Sequence, residues 1–227
     1  MNRKYIVGAI VAAIVVVGAL IAFSLAGGDD DVDPNDLQDV ALVQEALGGI
    51  PQSGRTLGEP DAPIEITEFG DLQCPACKAS SEDTNPELFE KYVATGRAKI
   101  TFVPIAFLGD DSERGALGAE AAARQDALWP FVEVLYHNQG AENSGWLTED
   151  LMRAVVRELG LDADRWDEDF EGEDVVTSFF EAANIAEEAQ VNSTPTFVIE
   201  GPRGRQVVTG AQKIGAFDDA IGQVAPE

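Results

Sequence analysis

The chain reads as β-α-β, then a long helical block, then β-β-α. That order predicts an α/β fold, a small sheet with helices packed on it and an all-helical insertion. Three observations carry the prediction. Pro63-Ile64-Glu65-Ile66-Thr67-Glu68-Phe69 alternates and is β-branched, as a half-buried strand requires, and Gly70 bounds it. Residues 110–190 form an extended block of helical composition. Two further strand-like runs, Thr196 to Glu200 and Gln206 to Thr209, flank a turn at Gly201 to Gly204.

In chain order, Leu37, Val40, Ala41, Val43, Ala46 and Leu47 recur at roughly helical spacing, and Gly48-Gly49 ends that short helix. Ile50 to Pro63 is rich in proline and glycine and reads as a loop. After the first strand, Pro75 to about Thr95 is helical with a break. Asn85-Pro86-Glu87 reads as a cap followed by a proline at the first helical position. Ala98 to Val103 is the second strand, stopped by Pro104. Within the helical block, Leu117 to Leu128 is alanine-rich and Pro130 to Asn138 carries aromatics. Thr148 caps a helix whose Leu151, Val155, Val156 and Leu159 share one face, with Gly160 at its end. Asp162 and Asp174 are placed to open two more, and Lys213 to Val224 closes the chain. Trp129, Trp146, Trp166, Phe179 and Phe180 read as core. His137 reads as a packing or surface histidine without a role.

The 227 residues suit one domain plus an appendage, and 45% hydrophobic content is enough for a core. Formal net charge is −26. From residue 29 onward there are 13 basic against 41 acidic residues, a surface that repels polyphosphate and argues against nucleic-acid binding. Tyr5 to Gly28 carries no charge, and Ile6 to Ala26 supplies 21 mostly aliphatic residues, against the ~20 that span a bilayer core. Arg3 and Lys4 precede this run and Asp29-Asp30-Asp31 follow it. The positive-inside bias therefore leaves the N-terminus cytoplasmic and exports the rest. The competing reading is a cleaved signal peptide ending at Ser24-Leu25-Ala26. The apolar run is longer than the ~7–15 residues of a signal core, which favours the anchor. The expected organisation is a stub and transmembrane anchor over 1–28, a juxtamembrane linker with a short helix over 29–57, and a globular domain over 58–227. The insertion occupies about 105–190 of that domain. Either N-terminal reading puts the globular part where disulfides persist.

Cys74-Pro75-Ala76-Cys77 holds both cysteines of the chain and follows the first strand directly. A structural zinc site needs about four ligands, and only His137 could add a nitrogen to the two sulfurs, so no metal is assigned. A static clip across so short a loop gains little stability. Redox chemistry is the better reading of the pair. Pro75 suits the first helical turn and puts Cys74 at the cap position, where unpaired backbone donors and the helix dipole stabilise a thiolate. Cys74 is thus the expected attacking thiol, and Cys77, one turn further in, the resolving one. Strand alternation sets Glu68 on the face of Ile66, directed inward. A carboxyl there has a raised pKa and can take the proton from Cys77 during resolution.

Across roughly Ile50 to Val224 the chain resembles the DsbA-like branch of the thioredoxin superfamily, in its membrane-anchored bacterial form. The resemblance rests on Gly58-Glu59-Pro60-Asp61-Ala62-Pro63, on Glu68-Phe69-Gly70-Asp71-Leu72-Gln73-Cys74-Pro75-Ala76-Cys77, and on Val191-Asn192-Ser193-Thr194-Pro195-Thr196-Phe197. It implies a thioredoxin-like fold with a helical insertion. It also implies a cis bond before Pro195 beside the cysteines, a Thr194 backbone that pairs with substrate, and a buried carboxylate at Glu68 beneath the motif. Ala76 departs from the histidine found between the cysteines of the most oxidising members. Without an imidazolium to stabilise the thiolate, a less oxidising couple is expected.

The resulting expectation is an extracytoplasmic, membrane-held thiol–disulfide oxidoreductase acting on exported cysteine-containing proteins. It needs no bound cofactor, and the resemblance suggests a quinone-linked membrane partner as reoxidant. A reductase or isomerase working in the opposite direction is the first alternative. A non-enzymatic anchored module that holds an extended client segment at Thr194-Pro195 is the second.

Overall fold

The computed structural model describes residues 35–227. The apolar run expected to form an anchor lies outside the described residues, and no described helix is long and apolar enough to cross a membrane. A short helix, α1 (Val40–Leu47), leads into the domain. Two two-residue strands follow, β1 (Gln52–Ser53) and β2 (Thr56–Leu57), then β3 (Ile64–Gly70), helix α2 (Pro75–Asp83) and the short α3 (Asn85–Leu88). A π-helical turn, Phe89–Val93, carries the chain to β4 (Ala98–Pro104). The insertion comprises α4 (Asp110–Ala123), α5 (Leu128–His137), α6 (Glu149–Glu158), α7 (Ala163–Phe170) and α8 (Glu173–Glu188). Strands β5 (Thr196–Gly201) and β6 (Gly204–Thr209) and helix α9 (Ile214–Val224) complete the domain.

The sheet has the order β1-β2-β4-β3-β5-β6. β3 runs parallel to β4, with Glu68 opposite Phe102, and antiparallel to β5, with Glu68 opposite Phe197. Glu68 therefore sits on the central strand, flanked by aromatic residues. Both faces of the sheet are covered. On one, Ile64, Ile66, Ile100, Phe102, Phe197 and Ile199 join the main core. On the other, Phe69, Val103 and Val198 meet Ala182 and Ala186 of α8. Each large side chain buried this way contributes about 1.5–3 kcal/mol. Phe197 and Phe217 meet edge to face at 4.8 Å between centroids, which pins α9 to the sheet.

Four local expectations change. The stretch 50–63 was expected as a loop, yet β1 and β2 pair within it and β2 joins β4. Its backbone is held from a distance: the Phe102 N–H donates to the Arg55 carbonyl at 3.1 Å, and the Arg55 guanidinium pairs with Glu120 at 2.7 Å. Asn85 does not cap α3 with its side chain; Thr84 is the cap residue and the Asn85 side chain turns inward. Phe180 is 60% exposed rather than core, because the buried stripe of α8 runs through Val175, Ala182 and Ala186. Thr148 and Asp162 cap α6 and α7, accepting from the Leu151 and Arg165 N–H groups, whereas α8 opens at Glu173 after Gly172. The three tryptophans are buried.

Candidate active site

β3 delivers the chain to the site through a loop organised by Asp71. Its buried carboxylate accepts hydrogen bonds from the N–H groups of Gln73, Phe107 and Leu108 and from the Ser112 hydroxyl, at 2.7–3.2 Å. Gly70 lets this turn pass close to the core: a Cβ there would lie 2.6 Å from the Phe102 ring. Gln139 closes the other side, donating to the carbonyls of Leu72 and Cys74.

Cys74 is the cap residue of α2 in extended conformation, and Pro75 opens the helix, solvent-exposed. Cys74 is 7% exposed and Cys77 is 0% exposed; both carry free thiols. The Cys74 thiol is lowered from 9.0 to about 6. A hydrogen bond from the Cys77 thiol is the largest cause and burial opposes it. The Thr194 side chain and the backbone N–H groups of Cys77 and Ala76 add further donors. Both N–H groups belong to the first turn of α2, where donors lack an i−4 partner, and the Cys77 N–H also donates to the Cys74 carbonyl at 3.0 Å. Cys77 moves the other way, well above its ordinary value. Burial is the main cause, followed by the hydrogen bond to Cys74, the Cys74 charge and, more weakly, the carboxyl of Glu68.

The Thr194–Pro195 peptide bond is cis. The Cys74 thiol donates to the Thr194 carbonyl at 3.5 Å, and the Pro195 carbonyl accepts from the Gly210 N–H at 2.8 Å. Residues separated by 120 positions thus share one surface: Thr194 half-buried, Pro195 buried, and Ala76 half-buried between the cysteines. Glu68 lies fully buried. Burial holds its carboxyl well above the ordinary range and the Glu133 carboxyl pushes it further, while a hydrogen bond from Asn85 opposes both.

Sequence reasoning missed four residues here: Asp71 as an organiser, Gln139, Asn85 and Glu133. Glu133 had a legible signal, as the one acid inside the apolar run of α5. Asp71, Gln139 and Asn85 act through contacts that no local pattern encodes. Among the described residues, no group of three or more His, Cys, Asp or Glu is placed to hold a metal ion. The arrangement supplies a thiol shifted towards its thiolate at the less buried cysteine, a fully buried thiol that favours its protonated form, and a buried carboxyl raised towards its neutral form whose charge bears on that second thiol. Those parts serve thiol–disulfide exchange.

The thioredoxin family model matches residues 52–221. The probable disulfide bond formation protein D of Bacillus cereus is 32% identical over 151 residues, which cover 65% of this chain and 70% of that protein. Disulfide bond formation protein D of Bacillus subtilis is 26% identical over 164 residues, covering 71% and 72% respectively. Among solved structures, oxidised BdbD from Bacillus subtilis superposes with a TM-score of 0.67 at 24% identity, covering 76% of this chain and 95% of that one. With the paired thiols, the cis-proline and the insertion helices already in place, these likenesses lead to one conclusion: the chain belongs to the thioredoxin family, as a protein thiol–disulfide oxidoreductase.

Proposed function

We propose that the chain is a disulfide-forming oxidase for exported proteins. The observation that carries this direction is the opposite displacement of the two thiols. A couple becomes oxidising when its reduced form is stabilised, and a Cys74 thiol held at about 6 is a stabilised reduced form.

In the working direction a client thiolate attacks Cys74 Sγ of the Cys74–Cys77 disulfide. A client–Cys74 bond forms and the Cys74–Cys77 bond breaks. Cys77 leaves as a thiolate that burial disfavours, and the neutral Glu68 carboxyl gives it a proton. A second client thiolate then attacks the client sulfur of the mixed disulfide, and Cys74 departs as a thiolate. The client loses two electrons to its new disulfide, and the Cys74–Cys77 pair gains them. In reverse, Glu68 accepts the proton from Cys77. Thr194 and Pro195 are assigned to the client: the backbone at Thr194 pairs with an extended segment and sets its sulfur against Cys74. Pro75 and Ala76 shape the helix start and its donors.

For turnover, a membrane redox partner, quinone-linked in this reading, reoxidises the pair. Residues 1–28 hold the enzyme at the membrane with the domain outside the cytoplasm, and the linker ends before β1, since β1 and β2 already belong to the domain's sheet. Disulfide bond formation proteins among the relatives support the extracytoplasmic setting. Expressing the full chain with Cys77→Ala and recovering mixed disulfides tests the assignment. Exported proteins attached through Cys74 are expected. Recovery of only cytoplasmic proteins, or of none while the variant is folded, would overturn it.

A further inference from the structure

Glu68 does not stand alone. The Asn85 amide nitrogen donates to Glu68 Oε2 at 3.4 Å and to Glu133 Oε1 at 3.1 Å, so one side-chain nitrogen bridges two buried carboxyl groups. The Ser81 hydroxyl donates to the other Glu133 oxygen. Glu68 Oε1 and Asn85 Oδ1 have no hydrogen-bond partner among the described residues. Neither carboxyl is ion-paired with a lysine or arginine among the described residues. Two uncompensated buried charges on one amide are unfavourable, which favours a proton on the pair.

The second observation is where Glu133 leads. It lines a cavity of about 180 Å³ beneath α1, walled by Leu42, Leu47 and Phe89, with Glu82 and His137 also on its lining. Glu68 is not among the residues that line it. The groups facing the pair are few. The Glu68 charge acts on Cys77 and Tyr136, the Tyr136 hydroxyl donates to the Asp71 carbonyl at 3.3 Å, and Lys78 is engaged by the Tyr136 and His137 carbonyls and Glu82. His137, one turn along α5, is paired with Asp39 at 3.0 Å and favours the ionised form of Glu133.

From this geometry we infer that Glu133 is a positioning residue for the Cys77 step: with Asn85 it forms a coupled carboxyl pair with Glu68, and it is the member of that pair that exchanges protons with solvent at the cavity. When Glu68 gives its proton to the departing Cys77 thiolate, the pair is left with two negative charges. Glu133 takes up a solvent proton, which returns the pair to one. The inference rests on Glu68 as the proton donor to Cys77 and adds the residue that sets when Glu68 holds that proton.

The test is the rate of reduction of the oxidised full chain by dithiothreitol between pH 5 and 10, divided by the thiolate fraction of the reagent. In the native chain the corrected rate falls as pH rises through the ionisation of Glu68. Glu133→Gln removes the neighbouring negative charge and is expected to move that fall to lower pH, by about one unit or more, the coupling that defines an interacting pair. Asn85→Ala removes a hydrogen bond that favours ionised Glu68 and is expected to move it to higher pH. Glu133→Asp keeps a carboxylate and is expected to restore the native profile in large part. A merely structural Glu133 would lower the melting temperature and leave the profile in place, which overturns the inference. If Glu133→Gln does not fold, the Asn85→Ala shift decides: an unmoved or downward profile overturns it. Glu68→Gln separates the two levels. A native profile in that variant would mean that Glu68 carries no proton to Cys77, so the underlying reading fails. A profile abolished by Glu68→Gln but unmoved by Glu133→Gln overturns the inference alone.

Discussion

Cys74 Sγ lies 3.5 Å from the carbonyl oxygen of Thr194, 120 residues further along the chain, with the cis peptide to Pro195 immediately after it. The sheet enforces this meeting: β3 delivers the cysteines and β5 begins at Thr196, its antiparallel neighbour. A client strand bound at Thr194 would thus find its sulfur beside Cys74 and not beside Cys77, which is fully buried.

That asymmetry predicts different behaviour for the two cysteine variants. Cys74→Ser is expected to abolish exchange with clients and with glutathione. Cys77→Ala is expected to keep attack by Cys74 and to accumulate mixed disulfides. Mass analysis after acid quenching reads both, and a trap formed equally by Cys74→Ser through Cys77 would contradict the assignment.

The alanine between the cysteines makes a second prediction. Ala76→His puts a cationic group beside Cys74 and is expected to lower its thiol pKa further. The reduction potential should rise by about 30 mV or more, a tenfold change in the exchange constant for a two-electron couple. Glutathione titrations of both proteins measure it; an unchanged potential would show that the helix-start donors already saturate the thiolate.

The buried carboxyl pair links stability to pH. Glu133 is raised from 4.5 to about 7, chiefly by burial. Folded protein therefore binds a proton that unfolded chain has released between those values, and stability falls as pH rises through that window. The cost at and above pH 7 is on the order of 3 kcal/mol for this one group, and Glu68 extends it upward. Melting temperatures are expected to decrease from pH 5 to pH 8, with a shallower decrease in Glu133→Gln. A flat profile in the native chain would count against burial of two ionisable carboxyls.

Much of this was legible in the residues, and the reasons differ from place to place. Glu65 and Glu68 look alike in the strand pattern, yet alternation with Ile64 and Ile66 puts the first outside and the second inside, as the structure places them. The Cys-Pro-Ala-Cys segment encodes its own helix start, because proline fixes the first turn. β1 and β2 escaped notice because two-residue strands have no period to detect; long-range bonds to β4 and α4 define them. Asn85 was misjudged for a related reason: next to a proline it matches a helix cap, but two carboxyls, 17 and 48 residues away in sequence, compete for its amide.

Asp71 makes the fourth prediction. Asp71→Ala would leave three backbone N–H groups and the Ser112 hydroxyl without their acceptor. Hydrogen bonds to a charged group are worth about 1.5–3 kcal/mol each, and buried orphan donors add to the loss. A destabilisation of about 3 kcal/mol or more is expected in urea titration, with slower exchange at Cys74. A loss below ~1 kcal/mol would mean that the loop is held by other contacts.

The most direct test of the account is the reduction potential of the Cys74–Cys77 couple in the full chain, equilibrated against glutathione at fixed pH. A stabilised Cys74 thiolate without the histidine of the strongest oxidants predicts a value between thioredoxin's ~−270 mV and the ~−120 mV of DsbA. A value at or below ~−270 mV would make the chain a reductase and contradict the proposed direction of electron flow.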